Sequence, residues 1–303
     1  MSDAPVTAPP EAHQVWQGRP ASPAALSLAC PACGSQTRHD FRFSKNRSDI
    51  YQCCSCGLGR AEATNFDPNT YYTDHYFDGG HADGYDDYQG AEPVLRREFA
   101  KTVEFIRRFR PSGRLLELGC AYGFFLQEAK QHYVSSGIEL AQSAAEHCQR
   151  SGLNVLQGPV DLAHLERLGR QDLIVMLDVI EHLPDPLGSL QLCADYLDPG
   201  GVLVITTGDF GSAAAKITGK GWRLMTPPQH LWYFTTESMQ RLSARTGLRV
   251  ECIDHPWKLV PASLILFQLR RMMGMNASRG SGGSSLGVPV NLFDAMRVVM
   301  RKP

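Results

Sequence analysis

The sequence predicts an α/β fold: a mostly parallel sheet covered by helices on both faces, preceded by a small module held by cysteines. Three observations carry this. From residue 114 onward, short apolar runs alternate with amphipathic stretches, as repeated βαβ units require. The run Asp172-Leu-Ile-Val-Met-Leu-Asp-Val-Ile180 is almost continuously apolar, the pattern of a central strand buried on both sides. Two Cys-x2-Cys pairs, Cys30/Cys33 and Cys53/Cys56, crowd the N-terminal part of the chain.

Taken in order, residues 1–25 are rich in Pro and Ala without periodicity and are expected to be a disordered lead-in. Residues 26–62 hold the cysteine pairs, and residues 63–110 a Tyr-rich acidic stretch followed by a helix. In that helix Val94, Leu95, Phe99, Val103, Phe105 and Ile106 recur at helical spacing until Pro111-Ser112-Gly113 stops the pattern. Residues 111–303 form the core. Strands are expected at Arg114–Gly119, Val134–Leu140, Asn154–Gln157, Asp172–Ile180, Val202–Thr207 and Leu248–Ile253. Helices are expected at Phe124–His132, Gln142–Ser151, Pro186–Leu197 and Thr236–Thr246. Leu259–Met273 reads as a hydrophobic helix, a lid or a dimer face, Asn276–Gly287 as a Gly/Ser-rich loop, and Ala295–Met300 as a final strand.

Composition narrows the function classes. The 303 residues carry 30 Lys+Arg against 31 Asp+Glu, a net charge of −1. The chain therefore lacks the basic excess of a protein held mainly by phosphate backbones. No run approaches 18 apolar residues and the N-terminus has no signal-peptide pattern, so a cytoplasmic protein is expected. Nine cysteines, five of them between Cys30 and Cys56, suit one metal site plus reduced thiols better than a disulfide framework.

The strongest chemical signal is Leu115-Leu-Glu117-Leu-Gly119-Cys-Ala121-Tyr-Gly123, a strand running through a glycine-bearing turn into a helix. Such a turn lets backbone approach a ligand and offers helix N–H groups to it. Glu139 closes the next strand about twenty residues on, where a carboxylate can accept both hydroxyls of a ribose. The Gly-x-Gly-x-x-Gly spacing is absent, and Glu117 would repel a pyrophosphate. A nucleoside without phosphate is favoured.

Glu117-Leu-Gly-Cys-Ala-Tyr-Gly123, Glu139 and Leu177-Asp-Val-Ile-Glu-His-Leu-Pro-Asp-Pro186 together resemble a class I S-adenosylmethionine (SAM)-dependent methyltransferase, and within that class the quinone-type O-methyltransferases. The resemblance covers about residues 93–303. It implies a Rossmann-like, seven-stranded sheet whose last strand is antiparallel, with SAM across the carboxyl ends of the first, second and fourth strands. By position it implies Glu117, Gly119, Cys120, Ala121 and Gly123 at the methionine side, Glu139 at the ribose, Asp161 and Leu162 at the adenine, and Asp178 at the end of the fourth strand. It also implies a magnesium site at Asp178, Glu181 and His182.

Methyl transfer from a sulfonium needs alignment above all, and a base only where the acceptor must lose a proton. His182 and His230, each in a loop at the ligand-facing end of the sheet, are the candidate bases; a structural role is the alternative for both. Cys30, Cys33, Cys53 and Cys56 have the spacing of a four-thiolate zinc ribbon, a structural site with no open position. The leading expectation is methylation of a small-molecule acceptor at oxygen or carbon. The alternatives are an RNA methyltransferase that reads through the ribbon and a non-catalytic scaffold that binds partners; a homodimer is compatible with either.

Overall fold

The computed structural model describes residues 25–63, 88–262, 265–266 and 286–303. The expected lead-in, Tyr71, Tyr72, Tyr76, Tyr85 and most of the stretch after Pro261 lie outside the described residues.

The chain enters through β1 (Leu26–Cys30), β2 (Ser35–Lys45), β3 (Ser48–Cys53) and β4 (Gly59–Ala63), an antiparallel meander. Asn46 and Arg47, both with positive φ, make the two-residue turn between β2 and β3, the backbone that a tight hairpin demands. Helix α1 (Glu92–Ile106) starts at a proline-bearing first turn and buries Val94, Leu95, Val103 and Ile106 on one face. The core then alternates: β5 (Gly113–Leu118), α2 (Phe124–Ala129), β6 (Tyr133–Glu139), α3 (Gln142–Arg150), β7 (Asn154–Gln157), α4 (Leu162–Leu168), β8 (Gln171–Leu177), α5 (Pro186–Tyr196), β9 (Leu197–Gly208) and α6 (Ala213–Thr218). It closes with β10 (Trp232–Tyr233), α7 (Thr236–Arg245), β11 (Arg249–Asp254), β12 (Lys258–Pro261), β13 (Gly287–Val290) and β14 (Ala295–Arg301).

Seven strands form the main sheet in the order β11-β14-β9-β8-β5-β6-β7. β14 alone runs against its neighbours, pairing antiparallel with both β9 and β11, so the expected architecture is present. Side chains alternate between the two faces. Leu116, Leu118, Ile174, Met176, Leu203 and Ile205 enter one apolar cluster, and Leu115, Leu173, Val175, Val202 and Val204 the other. Each such side chain, buried completely, contributes about 1.5–3 kcal/mol. The parallel strands thereby bring their carboxyl ends to one edge, where a doubly wound sheet binds ligands.

The N-terminal meander is stitched to the core. β10 pairs with β4, Trp232 opposite Arg60 and Tyr233 opposite Gly59. Cys30, Cys53, Cys56 and Leu58 share an apolar cluster with Phe234, Met239 and Leu242 of the core.

Three expectations are corrected. Leu259 does not begin a helix: Lys258–Pro261 is a strand paired with Gly287–Val290, and Glu98 Oε2 accepts the Leu259 amide at 2.8 Å, fixing the segment as an extended arm against α1. The strand expected to reach Ile180 ends at Leu177, because Asp178 takes a left-handed φ of 56° and gives its N–H to Thr206 O and Oγ1, both at 3.0 Å. Helices α4 and α6 were not expected, although each carries a capping side chain, Asp161 accepting from His164 N and Ser212 from Ala215 N.

Candidate active site

The loop after β5 turns on three left-handed residues, Gly119 (φ 71°), Ala121 (φ 46°) and Gly123 (φ 75°). Ile138 O in the neighbouring strand accepts the Gly119 N–H at 2.8 Å, which presses the loop against the end of β6. Glu139 completes that strand. Its Oε2 accepts Ala121 N–H at 2.7 Å and its Oε1 accepts Ala141 N–H at 2.8 Å, so the carboxylate joins the glycine loop to the start of α3. Burial raises its pKa, and the two amides oppose that shift.

Gly119, Ala121 and Glu139 line one end of a cavity of about 1210 Å³. Its volume exceeds the roughly 300–1,000 Å³ of a typical single-ligand pocket. Gly158, Pro159 and Val160 continue this end, and Tyr88 stacks on Phe124 beside it with centroids 5.5 Å apart.

The other expected nucleoside residues are placed differently. A Cβ on Gly123 would lie 2.5 Å from Leu153 Cδ1 and 2.8 Å from Cys148 Sγ, so packing of the helix behind the loop demands this glycine. Cys120 and Glu117 are buried at 3% exposure and do not line the cavity. Burial holds the Glu117 carboxyl well above its usual range, and its Oε2 has no partner. Asp161 Oδ1 caps α4, Leu162 is half exposed, and neither residue is among those lining the cavity.

At the far end of the cavity, side chains dominate. Asp178 accepts Lys258 Nζ at 2.8 Å and Thr206 Oγ1 at 2.9 Å; burial raises its pKa, but these partners more than offset it and leave the carboxyl below the usual range. Glu181, His182 and His230 converge with their ligand atoms within 4.8 Å of one another. Burial and the neighbouring Asp178 push Glu181 up to about 8, and burial pushes His182 down to about 4. His230 falls well below its ordinary value through burial and the adjacent His182, whose ring centroid is 4.7 Å away. Asp294 receives Arg223 Nε at 2.9 Å, Arg223 Nη2 at 2.8 Å and Trp222 Nε1 at 2.9 Å. Asp254 receives Arg297, whose guanidinium lies 3.2 Å from the Phe105 ring centroid. His255 Nε2 stands 3.0 Å from Asp209 Oδ2.

Of the expected site, Asp178, His182 and His230 come together here with Glu181. The sequence reading missed Lys258, Arg223, Asp294, Arg297, Asp209 and His255. The one available signal was position: Asp209 and His255 each follow directly on a strand that ends at the ligand edge.

The four cysteine sulfurs also lie within 4.8 Å of one another, with Cys30–Cys56 at 3.6 Å and Cys33–Cys53 at 3.8 Å. A tetrahedron with bonds of about 2.3 Å to zinc has an edge of about 3.8 Å. Cys30 O accepts Gly34 N–H and Cys53 O accepts Gly57 N–H, both at 2.9 Å, folding each pair into a tight turn. The thiol of Cys56 draws Cys30 down to about 4, while Cys30 and burial push Cys56 up: four crowded sulfurs cannot all ionise without a cation among them.

A ubiquinone biosynthesis O-methyltransferase of Xanthomonas axonopodis pv. citri is 30% identical over 131 residues, 40% of this chain and 54% of that protein. One of Dinoroseobacter shibae is 29% identical over 147 residues, 45% of this chain and 59% of that protein. The chain thus spans little more than half the length of these relatives. Among solved structures, a SAM-dependent methyltransferase from Archaeoglobus fulgidus superposes with a TM-score of 0.50 at 19% identity, over 75% of this chain and 98% of that one. Magnesium protoporphyrin IX methyltransferase from Synechocystis, with bound SAH, gives 0.50 at 10% identity, over 77% and 99%. These two likenesses concern the fold. The methyltransferase-domain family itself matches residues 92–253, more than half of the chain, and the protein belongs to it.

Proposed function

We propose that this protein methylates a small molecule with SAM as donor, at oxygen or carbon, the O-methyltransferase relatives favouring oxygen. Glu139 carries the reading. Each of its oxygens accepts one backbone N–H and keeps a lone pair for a ribose hydroxyl, on the floor of a cavity large enough for donor and acceptor together.

SAM supplies a methyl group on a positively charged sulfur, displaced in line. The protein's share is alignment and exclusion of water. Left-handed Gly119 and Ala121 bring backbone close to the donor, Tyr88 covers that end, and Lys258 on the extended arm reaches across to Asp178. His182 and His230 are neutral and, with pKa values held low, weak proton acceptors; with Glu181 they orient the acceptor. Magnesium at Asp178, Glu181 and His182 does not fit these residues. An ammonium already sits on Asp178, and Glu181 with two imidazoles lacks the oxygen-rich donor set this ion prefers.

The four cysteines hold a structural zinc ion in this reading, and the meander braces the core instead of reading RNA. Arg241 Nη1 lies 3.3 Å from Cys33 Sγ, Thr235 Oγ1 donates to Cys56 O at 2.9 Å, and Arg245 donates to Pro31 O, so α7 is committed to the cysteine turns. Purified protein is expected to carry one zinc per chain and to lose thermal stability in Cys30→Ser; zinc-free protein with an unchanged melting point overturns this.

Calorimetric titration with SAM and with its demethylated product SAH tests the donor site. Saturable heat from both is expected, and folded protein giving none refutes the proposal. A screen with isotopically labelled SAM then identifies the acceptor.

A further inference from the structure

The acceptor end contains a pairing of groups that neither the sequence motif nor the resemblance indicates. Asp209 follows β9 and is 5% exposed. Its own N–H is tied to Asp294 O at 2.8 Å and its Oδ1 accepts Gly211 N–H at 2.8 Å, so the carboxylate is fixed with Oδ2 aimed at His255 Nε2, 3.0 Å away. His255 follows β11. Its carbonyl accepts Asn291 Nδ2 at 2.9 Å, its side chain is 28% exposed, and the residue lines the cavity. A carboxylate only accepts, so the neutral ring carries its hydrogen on Nε2 and leaves the Nδ1 lone pair open. Among the described residues Nδ1 has no hydrogen-bond partner.

This is the arrangement of an oriented base: a ring held by a buried carboxylate on one nitrogen and unpartnered on the other, in a residue that lines the ligand cavity. β8, β9 and β11 bring Asp178, Asp209 and His255 to the carboxyl edge of the sheet, the edge at which β6 ends in Glu139 further along the strand order. His182, by contrast, has Nδ1 2.9 Å from Gln229 O and sits in a crowded trio with Glu181 and His230.

We propose that His255 is the general base that takes the proton of an acceptor hydroxyl, and that Asp209 is its positioning residue. The inference rests on the methyltransferase reading above. As the hydroxyl oxygen forms its bond to the methyl carbon, the carbon–sulfur bond breaks and its electron pair stays on sulfur, giving SAH. The hydroxyl proton moves to Nδ1, the resulting imidazolium is stabilised by Asp209, and the proton then leaves to solvent.

The test uses the full-length protein, SAM, and a panel of ring-substituted catechols and phenols of graded acidity plus simple polyols. His255→Ala and His255→Gln are expected to bind SAH as the wild type does while kcat falls about 100-fold or more and KM shifts less than about threefold. The deficit shrinks toward acceptors acidic enough to ionise unaided, and added imidazole partly restores His255→Ala. Asp209→Asn lowers kcat at least about tenfold, with SAH heat reporting that the variant is folded. Independently of turnover, nitrogen NMR is expected to find the Nε2–H tautomer of His255 in the wild type and its loss in Asp209→Asn. A His255→Ala variant that keeps wild-type kcat, or a deficit indifferent to acceptor acidity, overturns the base assignment and leaves the methyltransferase reading intact. Wild-type protein that binds SAH but methylates no hydroxyl in the panel removes the acceptor class and the base together. Absence of SAH binding removes the parent reading first.

Discussion

At the donor end of the cavity, one loop of five residues and Glu139 come from two adjacent strands, and most of the hydrogen bonds there are made by backbone. At the acceptor end, Asp178, Asp209, Arg223, His255, Lys258 and Asp294 come from five separate segments, and side-chain hydrogen bonds from Lys258, His255 and Arg223 to the three carboxylates hold them. The first end is a local conformation that a short stretch of sequence specifies. The second exists only once β8, β9, β11 and β14 are side by side. Donor recognition and acceptor choice should therefore be separable by mutation.

The sharpest attempt to separate them is Glu139→Ala. Two charge-assisted hydrogen bonds to a ribose contribute about 1.5–3 kcal/mol each, so SAH affinity should fall at least about 100-fold by calorimetry. An affinity within fivefold of wild type would move the nucleoside elsewhere. Gly123→Ala comes next. The new Cβ meets Leu153 and Cys148 in a left-handed residue, so chemical denaturation should show a loss of about 2–4 kcal/mol. Because Gly123 does not line the cavity, protein that remains folded should bind SAH within about threefold of wild type. Arg223→Met strips Asp294 of its guanidinium but leaves the Trp222 indole. With the arginine 42% exposed, a loss of about 1–2 kcal/mol is expected, accompanied by weakened acceptor KM and unchanged SAH binding.

The smallest effect concerns pH. Glu117, buried and with its carboxyl raised, keeps its proton in the native state where the unfolded chain has released it. Above about 4.5, the carboxyl's ordinary value, unfolding then releases a proton, so wild-type stability falls as pH rises until the native group itself ionises. Glu117→Gln removes that dependence. Its melting point should exceed wild type by a margin that widens from pH 5 to pH 8, and a constant margin would show that Glu117 is ionised in the fold.

The same contrast explains what the sequence disclosed. Central strands were legible because burial on both faces leaves an apolar run, and the donor loop because its glycines and Glu139 are close in sequence. Asp161 was expected at the adenine by position, and the structure adds a second role that the sequence did not show: standing one residue before a helix, it satisfies the His164 amide. Leu259-Val-Pro261 looked helical because it leads into an apolar stretch, and only the pairing of Lys258–Pro261 with Gly287–Val290 makes it a strand. Asp209 and His255 are 46 residues apart. A lone Asp and a lone His carry no pattern until topology joins them.

The short strand Trp232–Tyr233 gives the cysteine module a reach beyond its own sheet. The segment bearing Arg223 and His230 is buttoned to that module three times, by Trp232 and Tyr233 on β4, by Ala61 N–H on Leu231 O at 2.9 Å, and by Asn46 Nδ2 on Pro227 O at 2.9 Å. Trimming the protein to its family-matching portion would keep the nucleoside floor but unfasten the opposite rim. The integrity of the cysteine module would then govern how tightly the substrate doorway is tailored, so the two halves of the chain are best inherited, engineered and purified as one piece.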